Sequence, residues 1–201
     1  MTAIMIPERR MKVLGLLMLL MPIHVDVLAS ESNMPAMPYY DWGACPFEGC
    51  SYDTWEVCAR TVLYKEPDEK TPAVLTIEKK ETIQALTGVV ITSQPGIVKV
   101  LKSITLDDQH PIALKPGDVF YILHYQGEGF DLFWYKGALH SDQMDYYNQL
   151  PNAVKGVYYQ KMQEPKYDWW VQIKNSAGKV GWTKETEHFE SGGECLSGAM
   201  R

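Results

Sequence analysis

The fold class is decided by the stretch DWWVQIKNSAGKVGW, residues 168–182 of this 201-residue chain. Two alternating runs, residues 169–174 (WWVQIK) and 179–183 (KVGWT), flank a short loop that ends in Gly178. A glycine-bearing loop between two such runs is typical of a β-hairpin. The stretch therefore predicts two neighbouring antiparallel strands near the end of the chain.

Upstream of this hairpin, further short runs alternate in the same way, and turn residues separate them. The runs comprise residues 55–64, 73–77, 82–92, 97–104, 119–125 and 130–135. Within the third run, Gly88 predicts a bulge or a tight bend. Residues 141–152 have no clear period and predict a loop or a short helix. Roughly eight short strands without a long helix predict an all-β fold, a small barrel or sandwich, and disfavour a parallel sheet.

The stretch 168–182 also resembles the end of a bacterial SH3-like domain, which commonly follows the pattern W-[WY]-x-V, then G-x-x-G-W. One tryptophan would fill the barrel, and Gly181-Trp182 would fold a second ring back over the core. Residues 62–67 and 74–77 are similar, more loosely, to the first two strands of that family. The resemblance implies a small SH3-like barrel in an envelope protein that binds cell-wall material or other proteins.

The two ends of this resemblance lie almost twice as far apart as a minimal barrel needs. We therefore expect an SH3-like β domain at residues 61–190 that is elaborated by an inserted β subdomain at about 95–165. A lead-in rich in cysteine and aromatic residues precedes it at 30–60, and a C-terminal tail follows at 191–201. Because aromatic side chains bury large areas, the lead-in is expected to pack onto the domain.

Residues 1–29 are predicted to be a signal peptide. Basic residues within 8–12 precede an apolar run at 13–23, and Ala29-Ser30 offers small residues for cleavage. The run is much shorter than the roughly 20 apolar residues of a membrane-spanning helix. The sequence thus predicts an exported protein, periplasmic or secreted, with no stable membrane anchor in its mature form.

All four cysteines lie after the predicted signal peptide, at Cys45, Cys50, Cys58 and Cys195. An even number in an oxidising compartment predicts disulfides. Sequence alone cannot choose among the possible pairings; our preference is a local Cys45–Cys50 bond and a Cys58–Cys195 bond that closes a long loop. A zinc site of four thiolates is the alternative, although Cys195 lacks the paired spacing that structural zinc sites usually show.

Charge and motifs disfavour several classes of function. The net charge is −6 at pH 7, and the mature part has no cluster of Lys or Arg, which disfavours nucleic-acid partners. Because no catalytic metal or nucleophile motif occurs, we predict no enzymatic activity, no cofactor and no metal site. His124 is expected to be a strand histidine with one hydrogen-bonded nitrogen. Glu128 and Asp131 are expected to belong to a solvated hairpin turn.

Aromatic residues of two neighbouring runs are the candidate ligand-binding residues: Tyr121, Tyr125, Phe130 and Trp134. Strand alternation must turn some of these rings outward, and exposed Tyr and Trp favour recognition of peptides or sugars. The alternative is that the rings fill two cores. We therefore expect a non-enzymatic binding module whose partner is an envelope protein or peptidoglycan. A secreted hydrolase or inhibitor with its site in the insertion, and a structural subunit of an envelope assembly, are the alternatives.

Overall fold

The hairpin predicted at residues 168–182 is present in the computed structural model of the chain, at the centre of its largest sheet. Strand β13 (Lys166–Lys174) pairs antiparallel with β14 (Val180–Thr183), and Gly178 in their turn has φ +77°. The structure describes residues 33–106, 110–144, 158–191 and 195. Every strand pair within these ranges is antiparallel, and the predicted all-β fold is confirmed.

The larger sheet has eight strands and is curled into a half-barrel. Besides β13 and β14 it contains β1 (Tyr39–Trp42), β2 (Thr54–Val57), β3 (Thr61–Tyr64), β4 (Ala73–Ile77), β5 (Thr82–Gln94) and β15 (Phe189–Ser191). The order across the sheet is β15-β2-β5-β13-β14-β3-β4, and β1 also pairs with β5. One edge of the long strand β5 is therefore covered by β13, and the other is shared between β2 and β1.

A second sheet has five strands, all of which lie between β5 and β13 in the chain. They are β6 (Gly96–Val100), β9 (Val119–Gly127), β10 (Phe130–Tyr135), β11 (Ala138–Asp142) and β12 (Tyr159–Gln163), in the order β11-β10-β9-β6-β12. The short strands β7 (Ile104–Leu106) and β8 (Ile112–Leu114) pair only with each other. Each large sheet has its own apolar core. One core includes Leu63 and Val171, and the other includes Phe120 and Phe133.

The single strand predicted at residues 55–64 is wrong, because β2 and β3 are separate strands with different neighbours. β2 pairs with β5 and β15, whereas β3 pairs with β14 and β4. The chain leaves the first ladder at Cys58, whose N–H donates to the His188 oxygen at 2.7 Å and whose sulfur is bonded to Cys195. The hydrogen bond and the disulfide fix the chain at the point where it passes from β2, beside β5 and β15, to β3, beside β14 and β4.

The bulge of β5 lies at Leu86, two residues before the predicted position. The ladder to β13 skips Leu86, and this extra residue reverses the alternation of the strand. As a result Gly88 lies where the side chains of Tyr52 and Trp169 cross β5, and a Cβ at this position would be 2.5 Å from Trp169 Nε1. The glycine permits a close approach of side chains rather than a bend.

Both disulfides of the structure are those preferred from the sequence, Cys45–Cys50 and Cys58–Cys195. This pairing leaves no cysteine for a zinc site. Disulfides of this kind are typical of proteins in oxidising compartments. Within the described ranges, no helix has the length and apolarity needed to cross a membrane.

Some of the predictions concern residues that the structure does not describe. The predicted signal peptide (1–29), residues 145–152 of the predicted loop or short helix, and all of the tail except Ser191 and Cys195 lie outside the described residues.

Candidate functional site

Three of the four predicted ligand-binding residues lie on one face of the five-stranded sheet. Tyr121 of β9 is directly opposite Trp134 of β10, and Phe130 lies further along β10 on the same side as Trp134. Phe130 is 38% exposed. Among the residues that the structure describes, the indole nitrogen of Trp134 is the one buried side-chain polar atom without a hydrogen-bond partner.

Tyr125 lies on the opposite face of that sheet. The ladder between β9 and β10 skips Leu123, and this bulge reverses the alternation between Tyr121 and Tyr125. The Tyr125 hydroxyl donates to the Glu48 carboxylate and accepts the N–H of Gly129 at 2.9 Å. The structure therefore does not bring the four predicted residues into one surface.

The hairpin between β9 and β10 has a two-residue turn, Glu128 and Gly129, both at positive φ (54° and 80°). Positive φ at both central positions is the geometry of a type I′ turn. The expectation of a hairpin turn at Glu128 is confirmed, whereas Asp131 lies in β10, directly opposite Tyr125.

A second group of aromatic side chains, which the sequence reasoning did not select, lies on one face of the larger sheet. We call this group the aromatic face; it consists of Tyr40, Trp42, Tyr64, Trp170 and Trp182. The register of the sheet places Trp42 and Trp170 on either side of Val89, and Trp182 beside Tyr64. Four different segments of the chain thus contribute to one surface.

The exposed part of the aromatic face is formed by β1. The rings of Tyr40 and Trp42 are stacked, with centroids 6.1 Å apart and planes within 11°. Trp42 is 61% exposed and Tyr40 is 44% exposed. Trp42 also meets Trp182 edge to face, with centroids 6.0 Å apart and planes at 75°. The lead-in thus packs onto the larger sheet through strand β1, but it turns two rings towards solvent.

The buried part of the aromatic face supports these two rings. Trp170 and Trp182 pack with Val89 in a small apolar cluster. Tyr64 meets Trp170 edge to face at 6.2 Å, and the Lys184 ammonium lies 5.9 Å from the centroid of the Trp170 ring. Such contacts fix the orientation of the indole rings, since aromatic pairs prefer edge-to-face geometry and a cation is attracted to a ring face.

Charged and polar side chains border the aromatic face. Lys184 Nζ lies 2.8 Å from Glu69 Oε2, and this hydrogen bond raises the pKa of Lys184 above its ordinary value. Asp168 is exposed and lies opposite Ile91, in line with Tyr40 across the sheet. The surface therefore combines ring faces with a polar border, an arrangement that suits a ligand with both apolar and hydrogen-bonding groups.

β1 is held in position from its other face by His124, where the two sheets meet. His124 Nε2 lies 2.8 Å from Asp41 Oδ2, and its Nδ1 lies 2.6 Å from the backbone oxygen of Tyr125. His124 is fully buried and uses both ring nitrogens, where one hydrogen-bonded nitrogen was expected. Because a carbonyl oxygen only accepts, Nδ1 must donate and therefore carries a proton. Burial, followed by the charge of Asp41, raises the pKa of neighbouring Tyr39.

The loop closed by Cys45–Cys50 also connects the two sheets. Towards the larger sheet, the ring of Phe47 meets Trp169 edge to face at 5.1 Å. Towards the five-stranded sheet, the Phe47 backbone lies against Gly127, where a Cβ would be 3.2 Å from the Phe47 oxygen. The loop follows β1 directly, so it fixes the strand end that carries Trp42.

Comparison with known proteins assigns neither a family nor a function to this chain. The chain matches no protein-family model, and neither a curated protein nor a solved structure is significantly similar to it. In the described ranges, no three His, Cys, Asp or Glu side chains are arranged to hold a metal ion.

Proposed function

We propose that this protein is an exported, non-enzymatic binding module of the cell envelope, and that it recognises peptidoglycan or an envelope protein through its aromatic face. The observation that carries the proposal is the stacked ring pair of Tyr40 and Trp42, which remains exposed to solvent. Large contiguous exposed apolar patches mark interaction sites, and Trp and Tyr are enriched among the residues that supply most of the binding energy.

Two other features support the proposal. The paired cysteines favour a periplasmic or secreted location, since disulfides persist in oxidising compartments. The β13–β14 hairpin carries the residues that resemble a bacterial SH3-like domain, and two of them, Trp170 and Trp182, belong to the aromatic face. An SH3-like module whose ligand surface includes this hairpin is therefore the class of protein that we propose.

The test is sedimentation of the oxidised, exported protein with insoluble peptidoglycan at low and high salt. We expect retention that survives high salt, because ring stacking is not screened by ions as charge contacts are. Trp42→Ala should reduce retention about tenfold, a change of about 1.4 kcal/mol in binding. The matched control is Met162→Ala, since Met162 is 62% exposed but lies on β12 of the other sheet.

A third variant distinguishes the two aromatic surfaces. Phe130→Ala alters the surface predicted from the sequence and leaves the aromatic face intact. Loss of retention in Phe130→Ala but not in Trp42→Ala would move the site to the five-stranded sheet. If the wild-type protein does not sediment, peptidoglycan is excluded as the partner, and crosslinking from a photoreactive residue at position 42 would be used to identify an envelope protein.

A further inference from the structure

We propose that the aromatic face binds a neutral glycan strand, whose sugar rings lie on the exposed rings of Trp42 and Tyr40. The inference rests on the proposed function and narrows it to one ligand chemistry. Three features of the surface support it: the spacing of the two rings, the strand pairing beneath them and the charges at the border.

The spacing of the rings decides how a ligand can lie. An inserted ring needs van der Waals contact of about 3.5–4.0 Å on each of its sides. The centroids of Tyr40 and Trp42 are only 6.1 Å apart, so no proline or aromatic side chain fits between them. A ligand must lie across the exposed surfaces of the rings. Pyranose rings suit this position, because one of their faces presents C–H groups to the aromatic ring while their hydroxyls point sideways.

The strands beneath the buried part of the aromatic face are paired on both sides: β5 lies between β1 and β13, and β13 lies between β5 and β14. Among the described residues β1 pairs with β5 alone, so an extended peptide could add to its outer edge. A ligand that lies across the rings rather than along that edge is held by side chains, and a strand of sugars carries its own hydrogen-bonding groups.

The charges at the border favour a neutral ligand. Lys184 lies 2.8 Å from Glu69 and also interacts with the charge of Asp168, so in this group of three side chains one cation faces two carboxylates. The whole chain has a net charge of −6. A polyanion would be repelled, whereas carboxylates readily accept hydrogen bonds from sugar hydroxyls.

The experiment titrates the oxidised protein with four soluble probes and follows the Trp42 indole N–H by NMR; in the variants at position 42, the indole N–H of the adjacent Trp182 is followed instead. The probes are the hexamers of N-acetylglucosamine and of glucose, polyglutamate and oligoproline. We expect a saturable shift with at least one neutral hexamer and none with polyglutamate or oligoproline. Trp42→Ala should weaken that affinity about tenfold, Trp42→Phe should restore part of it, and Met162→Ala should leave it unchanged.

The outcomes separate this inference from the proposed function. If peptidoglycan retention depends on Trp42 but neither neutral hexamer shifts the indole signal, the glycan assignment is overturned and the binding module stands. Binding of polyglutamate or oligoproline at Trp42 overturns it equally. Binding of a neutral hexamer that is unaffected by Trp42→Ala would show that the sugar binds elsewhere. The wild-type titration needs no variant, so a misfolded substitution does not obscure the result.

Discussion

A hydrogen bond between the Tyr125 hydroxyl and the Glu48 carboxylate links the Cys45–Cys50 loop to the five-stranded sheet. Their hydrogen bond is the main cause that holds the pKa of Glu48 below its ordinary value, and it raises the pKa of Tyr125. Tyr125→Phe removes this donor, so the pKa of Glu48 should rise towards that of an ordinary glutamate. The measurement is an NMR pH titration of the Glu48 side chain, with Tyr121→Phe as the control.

The lowered pKa of Glu48 determines how its contribution to stability changes with pH. A carboxylate with a depressed folded-state pKa contributes stability above its unfolded pKa and loses it as pH falls through the folded value. The wild-type contact should therefore weaken in acid, below the ordinary range of glutamate, and Tyr125→Phe should reduce this dependence. An unchanged pKa of Glu48 in the variant would mean that backbone donors hold the carboxylate, since these also lower its pKa.

Gly88 shows the effect of a single Cβ. An alanine at this position would place its methyl group 2.5 Å from Trp169 Nε1 and 2.9 Å from the Ala44 oxygen. Backbone and two aromatic side chains would have to move, so Gly88→Ala should lower the free energy of unfolding by about 1–3 kcal/mol. Urea denaturation measures the loss. Leu86→Ala, at a 40% exposed position of the same strand, is the control and should change stability far less.

At the level of elements, the two disulfides should differ in how much each contributes to the free energy of unfolding. Cys58–Cys195 spans 137 residues and Cys45–Cys50 spans 5. In the chain-entropy model the long loop is worth about 5 kcal/mol and the short one about 2 kcal/mol. Replacing each pair by serine and measuring urea denaturation tests this order. Equal losses would contradict the entropic account.

The elements also show what could be predicted from the sequence. β10 and the β13–β14 hairpin were predictable, because local alternation and a glycine turn specify them without distant contacts. The aromatic face was not, because β1 reaches Trp170 only through its pairing with β5. The exact positions of the bulges were not either: each bulge adds one residue, and the one at Leu123 moved Tyr125 to the opposite face.

At the scale of the whole molecule, contacts where the two sheets meet should make the two cores unfold together. His124 of the five-stranded sheet contacts Asp41 of β1, and its ring lies 5.9 Å from that of Tyr167 on β13. Beside it, Thr92 Oγ1 donates to the Leu123 oxygen at 3.1 Å. These contacts lie between the sheets rather than within either of them, so they should couple the stability of one core to that of the other.

Asp41→Ala tests this coupling. The substitution leaves a fully buried histidine nitrogen without its acceptor, which should cost about 1–3 kcal/mol.

Two probes report the two sheets separately. Five of the six tryptophans belong to the larger sheet, so in a Trp134→Phe background fluorescence reports that sheet alone, while amide exchange in β9 and β10 reports the other. The two probes should give coincident transitions without the Asp41 substitution and separate ones with it. Glu187→Ala, at an exposed site, is the control. Coincident transitions in Asp41→Ala would mean that the Cys45–Cys50 loop couples the sheets without help from His124.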